Sequence, residues 1–239
     1  FPHLIAGPII HHKEMMPQFA DRSIGRLNYS KISLGIVIFS IGLSKKILIA
    51  DPLSIYADIL FDGVQSNLVP ELFLSWLGSL AYTFQLYFDF SGYSDMAIGL
   101  ALLFGIWLPI NFNSPFKALN IIDFWQRWHM TLTRYINMYL YTPITLRFAR
   151  IGANYSHTFG LIFSLVIPTI VIFLILGLWH GASWNYVVFG ALHGCFVVSN
   201  HLYRMLLSPS KKRNTSRQKY FVLKQSASWA LTFLAVNAA

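Results

Sequence analysis

Long apolar runs separated by short polar stretches dominate the chain, and this pattern predicts helices that cross a membrane. The longest run, residues 159–179, contains no charged residue, and roughly 20 mostly apolar residues are enough to span a bilayer. Residues 32–50, 72–88 and 184–207 are also mainly apolar. We therefore expect an all-α fold, a polytopic transmembrane helical bundle.

Polar and small residues between the runs predict where helices begin and end. Ser91 or Ser94 is expected to cap a helix that continues to residue 107. Asp95 would then lie in the first turn, where a carboxylate meets the positive end of the helix dipole. Small residues at 181–183 predict a break between two apolar helices.

Residues 120–141 hold a second group of polar and aromatic side chains, with Asp123 as the expected helix N-cap. Helical spacing places four residues on one stripe, namely Trp125, His129, Leu132 and Ile136. Arg127 and Arg134 fall on another stripe, where their guanidinium groups could bind phosphate. Alternatively, the arginines anchor the helix at the membrane interface and His129 is a packed, hydrogen-bonded residue. The residues alone leave both readings open.

Composition supports the membrane assignment and changes how the net positive charge of the chain is interpreted. The chain is 55% hydrophobic and 11% charged, whereas soluble domains average about 25% charged residues. Its formal net charge is +9, but basic residues cluster at the edges of apolar runs, in 147–157 and 211–219, which predicts cytoplasmic loops. We therefore expect the chain to contact membrane lipid and not to bind nucleic acid. Because the chain starts at Phe1 and ends inside an apolar run, we expect an internal fragment of a longer protein.

His180 is the leading candidate for chemistry, because it ends the longest apolar run. An ionisable group at membrane depth is costly, so such a residue is a functional candidate by default. Asp89 lies among aromatic residues, and either a structural or a functional role fits it. The sequence contains no metal-spaced cluster, no nucleotide-binding glycine loop and no Gly-x-Ser-x-Gly elbow.

Five blocks of sequence resemble the membrane-bound O-acyltransferase family, and in particular its bacterial alginate O-acetylation branch. The blocks, in the family's order, are FPHLIAGPI (1–9), FDFSGYSDMAIGL (88–100), NFNSPF (111–116), DFWQRWHMTL (123–132) and GLWHGASW (177–184). They extend from residue 1 to residue 184, so the resemblance is specific for the family. It is less specific for the substrate.

The resemblance implies one transmembrane domain over residues 1–239, truncated at both ends, with re-entrant or short amphipathic helices around a tunnel. It implies that His180 matches the family's catalytic histidine and His129 its second active-site histidine. Further residues expected to lie near the substrate or along the tunnel are Asp89, Asp123, Arg127, Trp128, Arg134 and Trp179. The chain departs from the alginate-type pattern at residues 144–150 and at His11. Because of these two departures, the resemblance does not specify the exact acceptor or partner.

The same resemblance implies an enzyme of the bacterial inner membrane that binds no cofactor. Its donor substrate would be acetyl-CoA or another acyl thioester, and its partner an exported polysaccharide, a periplasmic acetyltransferase, or both. In the hypothesis that follows, His180 is the general base for the acceptor hydroxyl, and His129 hydrogen-bonds His180, the acceptor or the developing oxyanion. One alternative is D-alanyl transfer from a carrier protein to a cell-envelope polymer. Another is a transporter or export scaffold that relays protons through intramembrane His and Asp residues.

Overall fold

The computed structural model describes residues 7–21, 24–65, 71–155, 157–207 and 218–238, and over these ranges it contains helices and no strand. In chain order the α-helices are α1 (His12–Ala20), α2 (Tyr29–Ser44), α3 (Asp51–Gln65), α4 (Leu72–Leu103), α5 (Ile121–Arg127), α6 (Met130–Ile136), α7 (Thr142–Gly152), α8 (His157–Leu161), α9 (Ile167–His180), α10 (Trp184–Leu207) and α11 (Gln218–Ala238). Shorter helical segments are the π-helical Lys45–Ala50, Asn137–Tyr141 and Ile162–Val166, and the 3₁₀ turn Pro115–Lys117. The all-α prediction is confirmed for the described residues.

Two of the described helical stretches have the length and apolar composition needed to cross a membrane, Tyr29–Gly63 and Phe159–His180. The second corresponds to the run predicted at 159–179. The break predicted after it is confirmed, since α9 ends at His180 and α10 begins at Trp184.

The contacts divide the chain into two compact units. The first contains residues 1–113 and 129–132, and the second contains residues 114–128 and 133–239. The start of the first sequence block, residues 1–6, lies outside the described residues. So does most of the basic loop predicted at 211–219, of which residues 218 and 219 already belong to α11.

In the first unit, α2 and α4 pack through two pairs of glycines. Gly35 lies against Gly99 and Gly42 lies against Gly92, so the helices run antiparallel. A β-carbon added at Gly35 would come within 2.7 Å of the Gly99 carbonyl oxygen, and one at Gly42 within 2.6 Å of the Gly92 carbonyl oxygen. Small residues allow helix backbones to approach this closely in membrane proteins. The backbone contact therefore depends on the absence of side chains at these positions.

The helix start predicted at Ser91 or Ser94 is wrong, because α4 continues through both serines. Their side chains are only 1% exposed, in the part of α4 that packs on α2. Asp95 is consequently a mid-helix residue, and it forms an ion pair of 2.6 Å with Lys45. Packing against α2 determines the conformation here, and it overrides the local preference of serine for a cap.

In the second unit, α9 and α10 form a hairpin that also depends on glycine. A β-carbon at Gly177 would overlap the backbone of Tyr186, and one at Gly190 would overlap the backbone of Phe173. Beside the hairpin, a buried cluster joins α5 to α10 and α11. Its members are Ala118, Ile121, Phe124 and Val197, with Phe116, Ile122, Trp125, Trp128, Phe173, Phe196 and Val236 packed around them.

The single short helix predicted after Asp123, with Trp125, His129, Leu132 and Ile136 on one stripe, is wrong, because α5 and α6 are separate helices. The N-cap is Asn120, whose side-chain oxygen accepts a hydrogen bond from the Asp123 backbone N–H, so the predicted cap at Asp123 is three residues too late. The polar loop predicted at 147–157 is also shorter than expected, since α7 extends to Gly152. Arg147 and Arg150 are therefore helical residues.

The glycine contact predicts a stability difference between two matched substitutions. Gly99→Ala places a β-carbon 2.6 Å from the Gly35 carbonyl oxygen and 2.7 Å from the Phe39 backbone nitrogen, whereas the nearest atom to a β-carbon at Gly160 is 3.7 Å away. We expect Gly99→Ala to destabilise the full-length protein by about 1–3 kcal/mol through overpacking. Gly160→Ala should be nearly neutral. The thermal midpoint in detergent measures both, and equal midpoints would contradict the packing.

Candidate active site

His129 occupies a break in the chain between two helices. α5 ends at Arg127, α6 begins at Met130, and His129 has a positive φ of 43°. This left-handed conformation is uncommon for a residue other than glycine, and it persists only where surrounding contacts hold it. His129 is also buried, with 8% of its surface exposed.

Asn111 supplies the contacts that hold this segment. Its backbone carbonyl accepts a hydrogen bond of 2.8 Å from the Met130 N–H. Its side-chain Oδ1 accepts from the backbone N–H and the hydroxyl of Thr131, at 3.3 and 2.8 Å, and lies 2.9 Å from Nδ1 of His129. Its Nδ2 donates to the Ser94 hydroxyl at 3.2 Å. One asparagine thus fixes both the backbone and the ring of the histidine segment.

Aromatic rings and low exposure complete the surroundings of His129. The Phe90 ring meets the imidazole edge to face at 4.8 Å between centroids, and the Phe112 ring lies roughly parallel to it at 6.4 Å. Asn111 and Ser94 are each 1% exposed. The hydrogen bonds therefore form in an environment with little water, where an unpaired polar group would be costly.

His180 is held in a different way, by aromatic rings at the end of α9. The Trp179 ring meets it at 4.9 Å and the Phe189 ring at 5.8 Å, both edge to face, while the Tyr186 ring stacks at 6.2 Å. Gly181 permits this arrangement, because a β-carbon there would overlap the Tyr186 ring. Both His180 and Trp179 are exposed in the described structure.

Farther along α10, His193 lies in a closed aromatic cage. The rings of Trp125, Phe173, Phe189 and Phe196 surround it at centroid distances of 4.6–6.4 Å, and 2% of its surface is exposed. Nδ1 of His193 and Nε1 of Trp125 are buried without a hydrogen-bond partner. Phe189 contacts both His180 and His193, so it links the cage to the end of α9.

Asp89 takes part in a small ion-pair network on the first unit. Nζ of Lys46 lies 2.6 Å from Asp89 and 2.8 Å from Asp51. The two neighbouring lysines, Lys45 and Lys46, are therefore both paired with carboxylates of the chain. This pairing offers Asp89 a structural role, and its predicted place beside a substrate stays a prediction.

The remaining predicted residues belong to the second unit. Nε of Arg127 donates to Oδ1 of Asp123 at 2.8 Å, within one turn of α5. Arg134 lies on α6, so the single helical stripe that grouped it with Arg127 does not exist. The Trp128 ring stacks on Phe124 at 5.7 Å within the buried cluster.

Asn111 and Thr131 belong to the site, but neither was predicted as a site residue from the sequence. Asn111 opens one of the five sequence blocks, and that position is the signal that could have identified it. Thr131 lies two residues beyond His129 and receives a further hydrogen bond from the Ile9 N–H at 2.9 Å. That bond ties the first block to the histidine segment.

Taken together, the described residues define an all-helical protein with two apolar helices of membrane length and histidines at structural breaks. The chain belongs to the membrane-bound O-acyltransferase family, whose family model matches residues 1–236. The resemblance that the sequence blocks indicated is confirmed.

Individual relatives differ in the polymer that their names specify. The chain is 46% identical over its full length to a peptidoglycan O-acetyltransferase of Helicobacter pylori, of which it covers 41%. It is 40% identical over 99% of its length to a probable alginate O-acetylase of Pseudomonas putida, of which it covers 42%. A teichoic acid D-alanyltransferase of Streptococcus thermophilus is 33% identical over 58% of the chain and 32% of the relative. The chain thus spans about two fifths of the length of the first two relatives.

The ion-pair network predicts non-additive effects on stability. Asp89→Asn and Asp51→Asn each leave Lys46 with one carboxylate, whereas the double variant removes both. Because an unpaired cation within an apolar helix is costly, we expect the double variant to lower the thermal midpoint by more than the sum of the single variants. A strictly additive result would show that Lys46 does not depend on these two partners.

Proposed function

We propose that this chain is the catalytic core of a multi-pass inner-membrane enzyme that transfers an acetyl group from a cytoplasmic thioester, such as acetyl-CoA, to the outer face of the membrane. The recipient is an exported polysaccharide or a periplasmic acetyltransferase that completes the transfer. Membership of the O-acyltransferase family supports the reaction class, as do two relatives, one named a peptidoglycan O-acetyltransferase and the other a probable alginate O-acetylase.

Exposed apolar side chains support the multi-pass arrangement. Large hydrophobic residues along the first apolar helical stretch stay substantially exposed, including Leu34, Ile36, Val37, Ile41, Ile47 and Leu48. Soluble proteins rarely expose a contiguous apolar surface of this kind, whereas lipid covers it in a bilayer. By length alone, α4 and α10, at 32 and 24 residues, also exceed the roughly 20 residues that a bilayer requires.

The position of His180 is the observation that carries the proposal. It ends an uncharged apolar helix, precedes a small-residue turn and belongs to the family-like block at 177–184. A neutral imidazole in such a place can accept a proton near neutral pH.

The proposed reaction uses His180 as a general base. Its imidazole takes the proton from an acceptor hydroxyl while the hydroxyl oxygen attacks the thioester carbonyl carbon. The carbon–sulfur bond then breaks, an ester remains on the acceptor, and the thiolate receives the proton back from the imidazolium. His129 is proposed as the second active-site histidine. Trp179 beside His180, and Asp123, Arg127 and Trp128 in the second unit, stay predicted tunnel residues.

A second candidate function changes the acyl group and keeps the chemistry. The D-alanyltransferase relative favours delivery of D-alanine to a cell-envelope polymer. Its coverage of the chain is lower than that of the acetyltransferase relatives, so acetyl transfer is the first choice.

Substitution of His180 tests the catalytic assignment. Because positioned general-base catalysis contributes about 10²- to 10⁴-fold, His180→Ala in the full-length parent protein should lower the rate of ester formation by at least about 10²-fold. His12→Ala, at an exposed position of α1, is the matched control and should retain activity. The measurement is ester content of the exported polymers at equal membrane abundance of the variants. Normal ester content in His180→Ala would favour a scaffold or transporter.

The acyl group itself can be identified by mass analysis. Cells with and without the full-length parent protein are compared for modified peptidoglycan, exopolysaccharide and teichoic acid. We expect an ester-linked acetyl group that depends on the protein and is removed by mild base. A D-alanyl ester in its place would support the second candidate.

A further inference from the structure

The orientation of the Asn111 amide can be read from its neighbours. The backbone N–H of Thr131 can only donate a hydrogen bond, and it points at the Asn111 side-chain atom that also contacts Nδ1 of His129. That atom must therefore be the oxygen. The opposite assignment would place an NH₂ group against a backbone N–H in a buried site. The Ser94 hydroxyl, on the other side, can accept from the NH₂ group.

This orientation determines which nitrogen of His129 carries the proton. An amide oxygen is only an acceptor, so Nδ1, at 2.9 Å from it, must be the donor. In the neutral ring the proton then resides on Nδ1, and Nε2 holds the lone pair. The hydrogen bonds of the Thr131 hydroxyl also have a defined direction, since the hydroxyl accepts from the Ile9 N–H and donates to the same Asn111 oxygen.

We propose that Asn111 is a positioning residue that holds His129 in the Nδ1–H form, so that Nε2 is the only proton-accepting atom of the ring. The proposal rests on the proposed function and sharpens it. A neutral His129 in this form can accept a hydrogen bond from a substrate hydroxyl through Nε2. It cannot donate from Nε2 to the thioester oxyanion, which was one of the roles considered for it.

The surroundings favour a single form over a mixture. Asn111 is 1% exposed, Thr131 is 3% exposed and His129 is 8% exposed, so water competes weakly for these bonds. The Asn111 carbonyl holds the Met130 N–H at 2.8 Å, which fixes the backbone beside the ring. The Phe90 ring packs edge to face on the imidazole at 4.8 Å between centroids, and this contact restricts reorientation of the His129 ring.

Nitrogen NMR of the full-length parent protein in lipid bilayers tests the tautomer directly. Histidine is labelled with ¹⁵N, and the His129 signals are assigned by subtracting the spectrum of His129→Gln. At a pH where the ring is neutral, we expect a protonated Nδ1 and an unprotonated Nε2. A protonated Nε2 in the parent protein would overturn the proposal, whatever the activity of the enzyme.

Three variants separate positioning from general support of the fold. Asn111→Leu removes the acceptor, and the single tautomer should be lost. Asn111→Asp keeps an acceptor at the same place, and the Nδ1–H form should persist. Thr131→Val removes one donor to the same oxygen but leaves the backbone N–H, so it should disturb the network without changing the tautomer. An unchanged tautomer in Asn111→Leu would overturn the proposal.

Kinetics of the same variants connect the tautomer to acyl transfer. Asn111→Leu should lower kcat by about 10²-fold, the typical cost of misplacing a group that must be held in position for the reaction, with little change in KM. Asn111→Asp should recover most of that loss. Thr131→Val removes one hydrogen bond of the same network but keeps the Nδ1–H tautomer, so it should lower kcat by less than Asn111→Leu does. Full kcat in Asn111→Leu would contradict a positioning role. Failure of the acyl-transfer function would instead appear as unaltered ester content in His180→Ala, with the NMR result unaffected.

Discussion

The close approach of α2 and α4 is the contact on which the arrangement of the first unit depends. Glycine pairs at its centre bring the two backbones together, and the packed part of α4 buries Ser94. Ser94 accepts from Asn111, and Asn111 in turn fixes His129. On both helices the paired glycines are seven residues apart in the sequence. Their packing is thus connected to His129 by three successive contacts: α2 with α4, Ser94 with Asn111, and Asn111 with His129.

The two histidines are restrained by different kinds of interaction. His129 is buried and held by hydrogen bonds that specify which nitrogen is protonated. His180 is exposed at a helix end and contacts aromatic rings at centroid distances of 4.9–6.2 Å. Ring contacts limit the position of an imidazole but leave both nitrogens available for exchange. This difference fits the proposed roles, in which His180 takes up and releases a proton in each cycle and His129 is a fixed hydrogen-bond acceptor.

The sequence predicted those features that follow from long-range periodicity of apolar residues. The run ending at His180, the break after it and the helix over residues 184–207 were all predicted correctly. The family assignment depended on five contiguous blocks and was also correct. The helix caps predicted at Ser91, Ser94 and Asp123 are wrong, because a short polar residue alone does not determine where a helix begins. Tertiary packing keeps the serines inside α4, and Asn120 supplies the cap that Asp123 was expected to form.

Other features could not be predicted because they depend on distant partners. Lys45 and Lys46 were adjacent charges in an apolar run, and only the fold brings Asp95 and Asp89 to them. The helical stripe through His129 failed because a positive φ interrupts it, and the Asn111 contacts that hold this conformation lie 18 to 20 residues away. Side-chain networks of this kind leave no periodic pattern in the amino-acid sequence, so they cannot be predicted from it.

The most direct test of the central claim is a cryo-electron microscopy structure of the full-length parent protein with a non-transferable acyl thioester analogue and a saccharide acceptor. We expect the acceptor hydroxyl to lie within hydrogen-bond reach of the His180 imidazole, about 2.6–3.2 Å. The same oxygen should face the acyl carbonyl carbon at about 3–3.5 Å. A bound thioester whose carbonyl is separated from His180 by protein, with no room for a hydroxyl between them, would contradict the assignment of His180 as the base.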